Sequence, residues 1–418
     1  MKLTNWAGNY EYHARKVLKP ETIEDLQESV ARSTNLKALG TRHSFNGIAD
    51  STGNLVSLEN LSRVVSLDTE RLLVTVEGGI KYGELCRYLA TKGFALKNLA
   101  SLPHISIAGA CATATHGSGD KNQNLAASVA EMELVTATGD IAVLAREKDR
   151  DRFSGSVVHL GALGIVAKLT LDIIPAFEIR QHVYSDLPVA RLREHFFELV
   201  SSAYSVSLFT DWTSSVIDQV WIKRRVGDDD PIAEDLYGAS LTKEHVHPIK
   251  GISAESCTLQ MGISGPSHER LPHFRMEFTP SSGQELQSEY FVHREHAFDV
   301  ISTIDRLRDR IAPLLQVSEV RTIAADDLWL SPCYKQSCIA IHFTWKPNWP
   351  AVSKLLPVIE EGLEPFGVRP HWGKLFLMDH GKLRSLYKRL PDFAELMLDL
   401  DPGGKFRNEF SERHLLGT

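Results

Sequence analysis

No stretch of this 418-residue chain is apolar over anything near the roughly 20 residues that a membrane helix needs. Its first residues, Met1-Lys2-Leu3-Thr4-Asn5-Trp6, also lack the apolar core of a signal peptide, so a cytoplasmic protein without a membrane partner is expected. Cysteine is scarce. The five copies, Cys86, Cys111, Cys257, Cys333 and Cys338, form no C-x-x-C and are odd in number, which argues against a disulfide framework or a thiolate zinc site and fits a reducing compartment. Basic blocks are missing too. With 46 Lys and Arg against 53 Asp and Glu the net charge is −7, which gives no electrostatic footprint for nucleic acid. The short run Lys223-Arg224-Arg225 reads as a solvated strand end. No metal is expected: His293-Arg294-Glu295-His296 lacks the H-E-x-x-H spacing, and His245-Val246-His247 falls in an irregular stretch, so both read as surface histidines. There is no internal repeat, low-complexity tract or heptad pattern.

What is present is ordinary globular material, 43% hydrophobic and 24% charged, long enough for two or three domains. Thr22 and Asp25 open a helix in which Ile23, Leu26 and Val30 recur at helical spacing, ending near Ser33. Strands are expected around Leu36–Ala38, Leu55–Leu58, Val64–Val65 and Leu73–Val76, the last running into Gly78-Gly79. Tyr82, Leu85, Cys86 and Leu89 mark a second helix stopped by Gly93. Thr138-Gly139-Asp140 turns a hairpin, and Ile165–Leu171 is a further strand stopped at Pro175. The pattern is mixed α and β, with a domain boundary at 175. Beyond it come longer alternating strands, helices over about 189–203 and 293–313, and an irregular excursion or lid over 227–267.

Two segments carry chemistry. Leu39-Gly40-Thr41-Arg42-His43-Ser44 is a glycine-led turn that presents an exposed histidine beside small hydroxyls and backbone donors suited to phosphate. Some sixty residues on, Ser101-Leu102-Pro103-His104-Ile105-Ser106-Ile107-Ala108-Gly109-Ala110 runs into Thr113-Ala114-Thr115-His116-Gly117-Ser118-Gly119. That run is poor in packing volume and rich in backbone donors. It is neither a dinucleotide-binding G-x-G-x-x-G nor a Walker A loop.

These loops, with Gly161-Ala162-Leu163-Gly164-Ile165-Val166 after them, resemble the FAD domain of the vanillyl-alcohol oxidase and p-cresol methylhydroxylase flavoproteins. More narrowly, the chain resembles the bacterial alditol (xylitol or sorbitol) oxidases from Asn5-Trp6-Ala7-Gly8-Asn9 to Asp401-Pro402-Gly403-Gly404-Lys405-Phe406. The resemblance implies an α+β fold: a two-lobed FAD-binding domain over 1–175, a substrate or cap domain over 176–370 whose antiparallel sheet roofs the flavin, and a segment 371–418 returning to the FAD domain. It implies FAD attached covalently through His43, with Gly40, Thr41, Arg42, Ser44, Ser101, Ser106, Gly109, Thr113, His116, Gly117, Ser118 and Gly119 as cofactor contacts and Ile165 and Val166 near the adenine. The family carries Ser-Gly before its histidine where this chain has Thr41-Arg42.

On the cap strands, a period of two puts Glu319 with Arg321, His342 with Thr344, and Gln287 with Glu289 on shared faces. A polar face of this kind is either solvated or the wall of a polyol site. The resemblance favours the wall: Ser101, Gln287, Glu319, Arg321, Thr344 and Lys374 are the implied substrate contacts, and Lys374, Arg321, Glu319 and His342 the implied catalytic set. The expected reaction is hydride transfer from a terminal primary alcohol to the flavin, with O2 reduced to H2O2. In it Lys374 serves as base or as cation beside the alkoxide, Glu319 balances the cations, and Ala100 lies on the oxygen side. Polyol and O2 are the expected partners and a monomer the expected state. A sugar-lactone oxidase or dehydrogenase on the same fold and a non-catalytic flavin- or polyol-binding protein are the alternatives.

Overall fold

The computed structural model describes residues 3–228, 232–278 and 284–418. Near the N-terminus the Thr22 hydroxyl accepts from the Asp25 N–H at 3.0 Å while the Asp25 carboxylate accepts from the Thr22 N–H at 3.2 Å. That reciprocal cap starts the helix Ile23–Arg32. Its Leu26 and Val30 are fully buried against Leu36, Val56, Leu58, Val135, Ile165 and Phe406, which fixes the helix on two sheets at once.

The smaller of those sheets is parallel, with Asn54–Ser57 between Lys16–Leu18 and Leu36–Leu39. The other is antiparallel, in the order Val64–Asp68, Leu73–Glu77, Ile165–Asp172, Val129–Val135, Ile141–Ala145. Gly78 and Gly79 follow the second of these strands. A Cβ on them would stand 2.2 Å from the Val166 carbonyl oxygen and 1.8 Å from that of Leu58, so only glycine allows this approach.

A ten-stranded antiparallel sheet takes its strands from 178–370. Its long members run Glu178–Pro188, Val216–Arg225, Ser205–Thr210, Leu315–Ile323, Cys338–Trp345, Leu286–His293. One face, including Val220, Val320, Ile341 and Tyr290, shares a core with Leu199, Ile304 and Leu356 of the helices Leu192–Ser201, Ala297–Arg306 and Trp349–Leu363. The register then decides what the other face carries. Glu319 and Glu289 both sit opposite His342, and Gln287 sits opposite Thr344. Side chains alternate along each strand, so these residues and Arg321 are gathered on one surface.

The structure refines several expectations. The helix expected over 293–313 is interrupted at Leu307, between Ala297–Arg306 and Arg308–Ile311. The small-residue run contains a short helix, Ile107–Ala112, whose Ile107, Ala110 and Cys111 are buried. Within 227–267 the described residues form only short pieces such as Ala239–Leu241 and Ala254–Ser256, and 229–231 lie outside the described residues. No described helix is long and apolar enough to cross a membrane.

Candidate active site

A cavity of about 820 Å³ runs between the first two sheets and the polar face of the third, and its lining draws on all of them. That volume lies in the upper part of the range for small-molecule and cofactor sites.

On one side stands the loop Gly40–Ser44. Arg42 adopts a left-handed φ of 63°, an uncommon conformation for a residue with a Cβ, and its guanidinium donates to the Thr4 carbonyl at 3.0 Å. His43 is half-buried rather than exposed, stacked on Trp6 at 5.2 Å between ring centroids, with Nδ1 3.1 Å from the Thr41 hydroxyl. Burial, with His104 adding to it, pulls its pKa down to about 4, so the imidazole is neutral and keeps a nucleophilic lone pair. Ser101, Ser106, Gly109, Thr113 and His116 line the same space.

Lys37, His159 and Tyr12 also line the cavity. Lys37 is fully buried, donates to the Leu160 and Gly161 carbonyls, and is pulled down to about 7 by burial against the opposing effect of Asp401. His159 Nδ1 accepts from the Gly161 N–H, which leaves Nε2 as a donor; that atom and Tyr12 Oη are buried without a hydrogen-bond partner. Orphaned polar atoms are costly unless a ligand meets them. Unpartnered buried polar groups and a glycine-led turn lining one cavity of this volume fit a dinucleotide such as FAD.

The opposite wall is charged. Lys374 Nζ lies 2.6 Å from Glu289 Oε2 and donates to His342 Nδ1 at 2.7 Å, and His342 Nε2 meets the Thr344 hydroxyl at 2.9 Å. Arg321 donates to Ser101 Oγ at 3.1 Å, faces Glu289 Oε1 at 3.2 Å and pairs with Glu319 Oε1 at 3.4 Å. Burial alone would raise the Glu289 carboxyl, but Lys374, His116 and Arg321 hold it well below the usual carboxylate range. Burial lowers Lys374 from the ordinary lysine value, opposed by Glu289 and assisted by Arg321. Burial and the Lys374 charge pull His342 down to about 3, so its ring is a neutral acceptor.

Lys374 reaches this wall because its backbone is tied at several points. The His371 and Leu375 N–H groups donate to the Glu289 and Gln287 carbonyls, each at 2.9 Å. The Asn46 side-chain amide, three residues past His43, donates to the Trp372 carbonyl at 2.9 Å and to that of Lys374 at 2.7 Å. One carboxamide thereby couples the histidine loop to the lysine.

The lining departs from the sequence expectations at four cofactor positions. Ile165 is fully buried in the core beneath the first helix, facing away from the cavity, whereas its neighbour Val166 lines it. Gly117, Ser118 and Gly119 also fall outside the lining. Ser118 donates to the Val206 carbonyl and the Gly119 N–H to that of Thr322, so this stretch is fastened to the ten-stranded sheet. The partner of Lys374 is Glu289, not Glu319, which balances Arg321 instead. Lys223 is fully buried rather than solvated, because it shares strand parity with buried Trp221. His247 lines the cavity, while His245 is exposed.

Sequence reasoning did not bring Lys37, His159, Tyr12, His273 or His371 to the cavity, and it placed Glu289 on the polar face without giving it a role in the site. Glu289 stands on the face that strand parity with Gln287 had already assigned to it, and the register against His342 brings it to Lys374. His273 comes from a loop without periodicity, and His371, pulled well down by burial and the Lys374 charge, sits in a turn. Neither is announced by local pattern.

Residues 14–145 match the family model described as FAD binding domain, and residues 278–414 match that of D-arabinono-1,4-lactone oxidase. The alditol oxidase of Streptomyces sp. (strain IKD472 / FERM P-14339) is 50% identical over 412 residues, covering 98% of this chain and 97% of that protein. The L-gulono-1,4-lactone dehydrogenase of Mycobacterium tuberculosis (strain ATCC 25618 / H37Rv) is 28% identical, covering 99% and 98%. Among solved structures, the cholesterol oxidase from B. sterolicum matches with a TM-score of 0.80 over 99% of this chain and 96% of its own, at 14% identity, a likeness of fold. Its FAD-binding match and its identity to the Streptomyces protein over nearly the whole length establish that the chain belongs to the alditol oxidase family of FAD-dependent oxidoreductases.

Proposed function

We propose that the chain oxidises the terminal primary alcohol of linear alditols, xylitol and sorbitol among them, to the aldose, with O2 as acceptor and H2O2 as product. The observation that carries this reading is the cluster of Lys374, Glu289, Arg321 and His342 facing the cavity that the Gly40–Ser44 loop also lines. The 50% identical alditol oxidase supports it. FAD, when bound, supplies a hydride acceptor that O2 reoxidises. Gly40, Thr41, Arg42, Ser44, Ser101, Ser106, Gly109, Thr113 and His116 would hold it, and neutral His43 would carry the covalent link.

The difficulty for the protein is the hydroxyl proton, because an alcohol is a far weaker acid than any side chain. Lys374, lowered by burial, takes that proton as a neutral amine, and Glu289 at 2.6 Å stabilises the ammonium so formed. Arg321 faces the developing alkoxide. A cation about 4 Å from such an oxygen is worth roughly 4 kcal/mol at an effective dielectric of about 20. Glu319, Gln287 and Thr344 exchange the water on the remaining hydroxyls for directional hydrogen bonds. Ala100, small and on the cavity wall beside Ser101, leaves room for O2.

Anaerobic single-turnover reduction in Lys374→Met tests the assignment. The expected loss is about 100-fold or more, and near-normal flavin reduction would exclude a direct role. A second reading, oxidation of an aldonolactone, is favoured by the match of residues 278–414 and by the mycobacterial relative. Steady-state rates on xylitol, sorbitol and an aldonolactone, with oxygen and with a dye acceptor, separate the two.

A further inference from the structure

Behind Glu319 runs a second chain of polar side chains that the proposed reaction does not use. Lys223 lies at the end of the strand Val216–Arg225, on the same face as Trp221, and is fully buried. Its Nζ donates to the Leu271 carbonyl at 2.6 Å and that of Pro272 at 3.2 Å, and lies 3.2 Å from His273 Nδ1. Burial pulls Lys223 down to about 7 with Glu319 opposing it, so the direction of the chain is set from its carboxylate end. The Glu319 carboxylate, which burial would raise but Arg321 and His273 hold well below its usual range, can only accept, so the proton of the neutral ring sits on Nε2, 2.8 Å from Glu319 Oε1, and Nδ1 accepts from Lys223. Every bond runs one way, from lysine to imidazole to carboxylate.

Two aromatic rings and a backbone bond hold the residue in this position. His273 packs edge-on against Phe209 at 5.4 Å and Trp221 at 5.3 Å, and its backbone N–H donates to the Ser101 carbonyl at 3.1 Å. Burial, with the Lys223 charge adding to it, holds its pKa down at about 4, which keeps the ring neutral. The arrangement repeats, on the other side of Arg321, the Lys374–His342–Thr344 chain.

We propose that Lys223 and His273 are positioning residues for substrate recognition: together they lock one carboxylate oxygen of Glu319 and leave the other to accept hydroxyl hydrogen bonds from the polyol. The proposal rests on the alditol reading for the identity of the ligand. The relay itself rests on geometry alone.

The test uses the flavin-loaded enzyme with xylitol under anaerobic conditions, comparing His273→Leu, His273→Gln and Lys223→Met. Glutamine can accept from Lys223 through its oxygen and donate to Glu319 through its amide, so it preserves the direction of the chain. Loss of one hydrogen bond to a charged group predicts that H273L and K223M raise KM about tenfold or more, while the limiting rate of flavin reduction falls less than about threefold. H273Q should return KM to within about threefold of the parent. Equal impairment of the Gln and Leu variants, or an unchanged KM in H273L, would overturn the relay. A second measurement needs no turnover: selective ¹⁵N-histidine NMR of the enzyme at pH 7, with the His273 signal identified by its loss in H273Q. A neutral Nε2–H ring is expected, and an imidazolium or an Nδ1–H tautomer would contradict the relay. If xylitol fails to reduce the parent flavin, the alditol reading fails, and the NMR result still decides the relay.

Discussion

Glu289 is almost completely buried, and two cations and two histidines converge on it: Lys374, Arg321, His116 and His342. Removing one partner of such a cluster leaves buried charge uncompensated, so Glu289→Gln should cost about 3–5 kcal/mol of stability, measured by denaturant unfolding. The same carboxylate raises the pKa of Lys374 against the effect of burial. A protonated lysine cannot take a proton, so kcat/KM should rise with pH and level off below the ordinary lysine range. In Glu289→Gln that rise should move to lower pH, and a pH profile unchanged in the variant would contradict the assignment of Lys374 as base. His43 makes a separate prediction: after acid precipitation the yellow colour should stay with the polypeptide, and in His43→Ala it should pass to the supernatant. Much of this was legible residue by residue, since Glu319, Arg321, His342 and Thr344 follow strand parity. Lys223 shows the limit. Its basic neighbours suggested a solvated end, whereas parity with Trp221 places it inside, and only the three-dimensional pairing shows which of the two wins.

At the scale of elements, the site depends on joints that no periodicity announces. Asn46 ties the turn after His43 to the backbone of Trp372 and Lys374, and Ser118 and Gly119 fasten the small-residue run to the large sheet. Asn46→Ala loses the two bonds its amide donates and the one its oxygen accepts from the Ile48 N–H, and should lower stability by about 1–3 kcal/mol by thermal melting. It should also slow flavin reduction, because Lys374 loses its anchor; an unchanged rate would show that the turn at Trp372–Lys374 positions the lysine unaided. The strands and the first two helices were readable because alternation and capping are local properties. The Ile107–Ala112 helix and the break at Leu307 were not, since small residues and a continuous apolar stripe fit more than one local conformation.

For the molecule as a whole, the cofactor-type loops come from residues 40–116 and the charged wall from 285–374, and the cavity joins them. Neither half could turn over a polyol alone. The order of the loops along the chain made the first half visible, but the convergence of Glu289, Arg321 and Lys374 depends on strand order and register, which sequence pattern does not specify. The most direct test is anaerobic titration of the purified, flavin-loaded protein with xylitol, following flavin absorbance. Bleaching that saturates with xylitol, and reverses when oxygen is admitted with formation of H2O2, is the predicted result. A flavin that stays oxidised with xylitol and sorbitol but bleaches with an aldonolactone would contradict it.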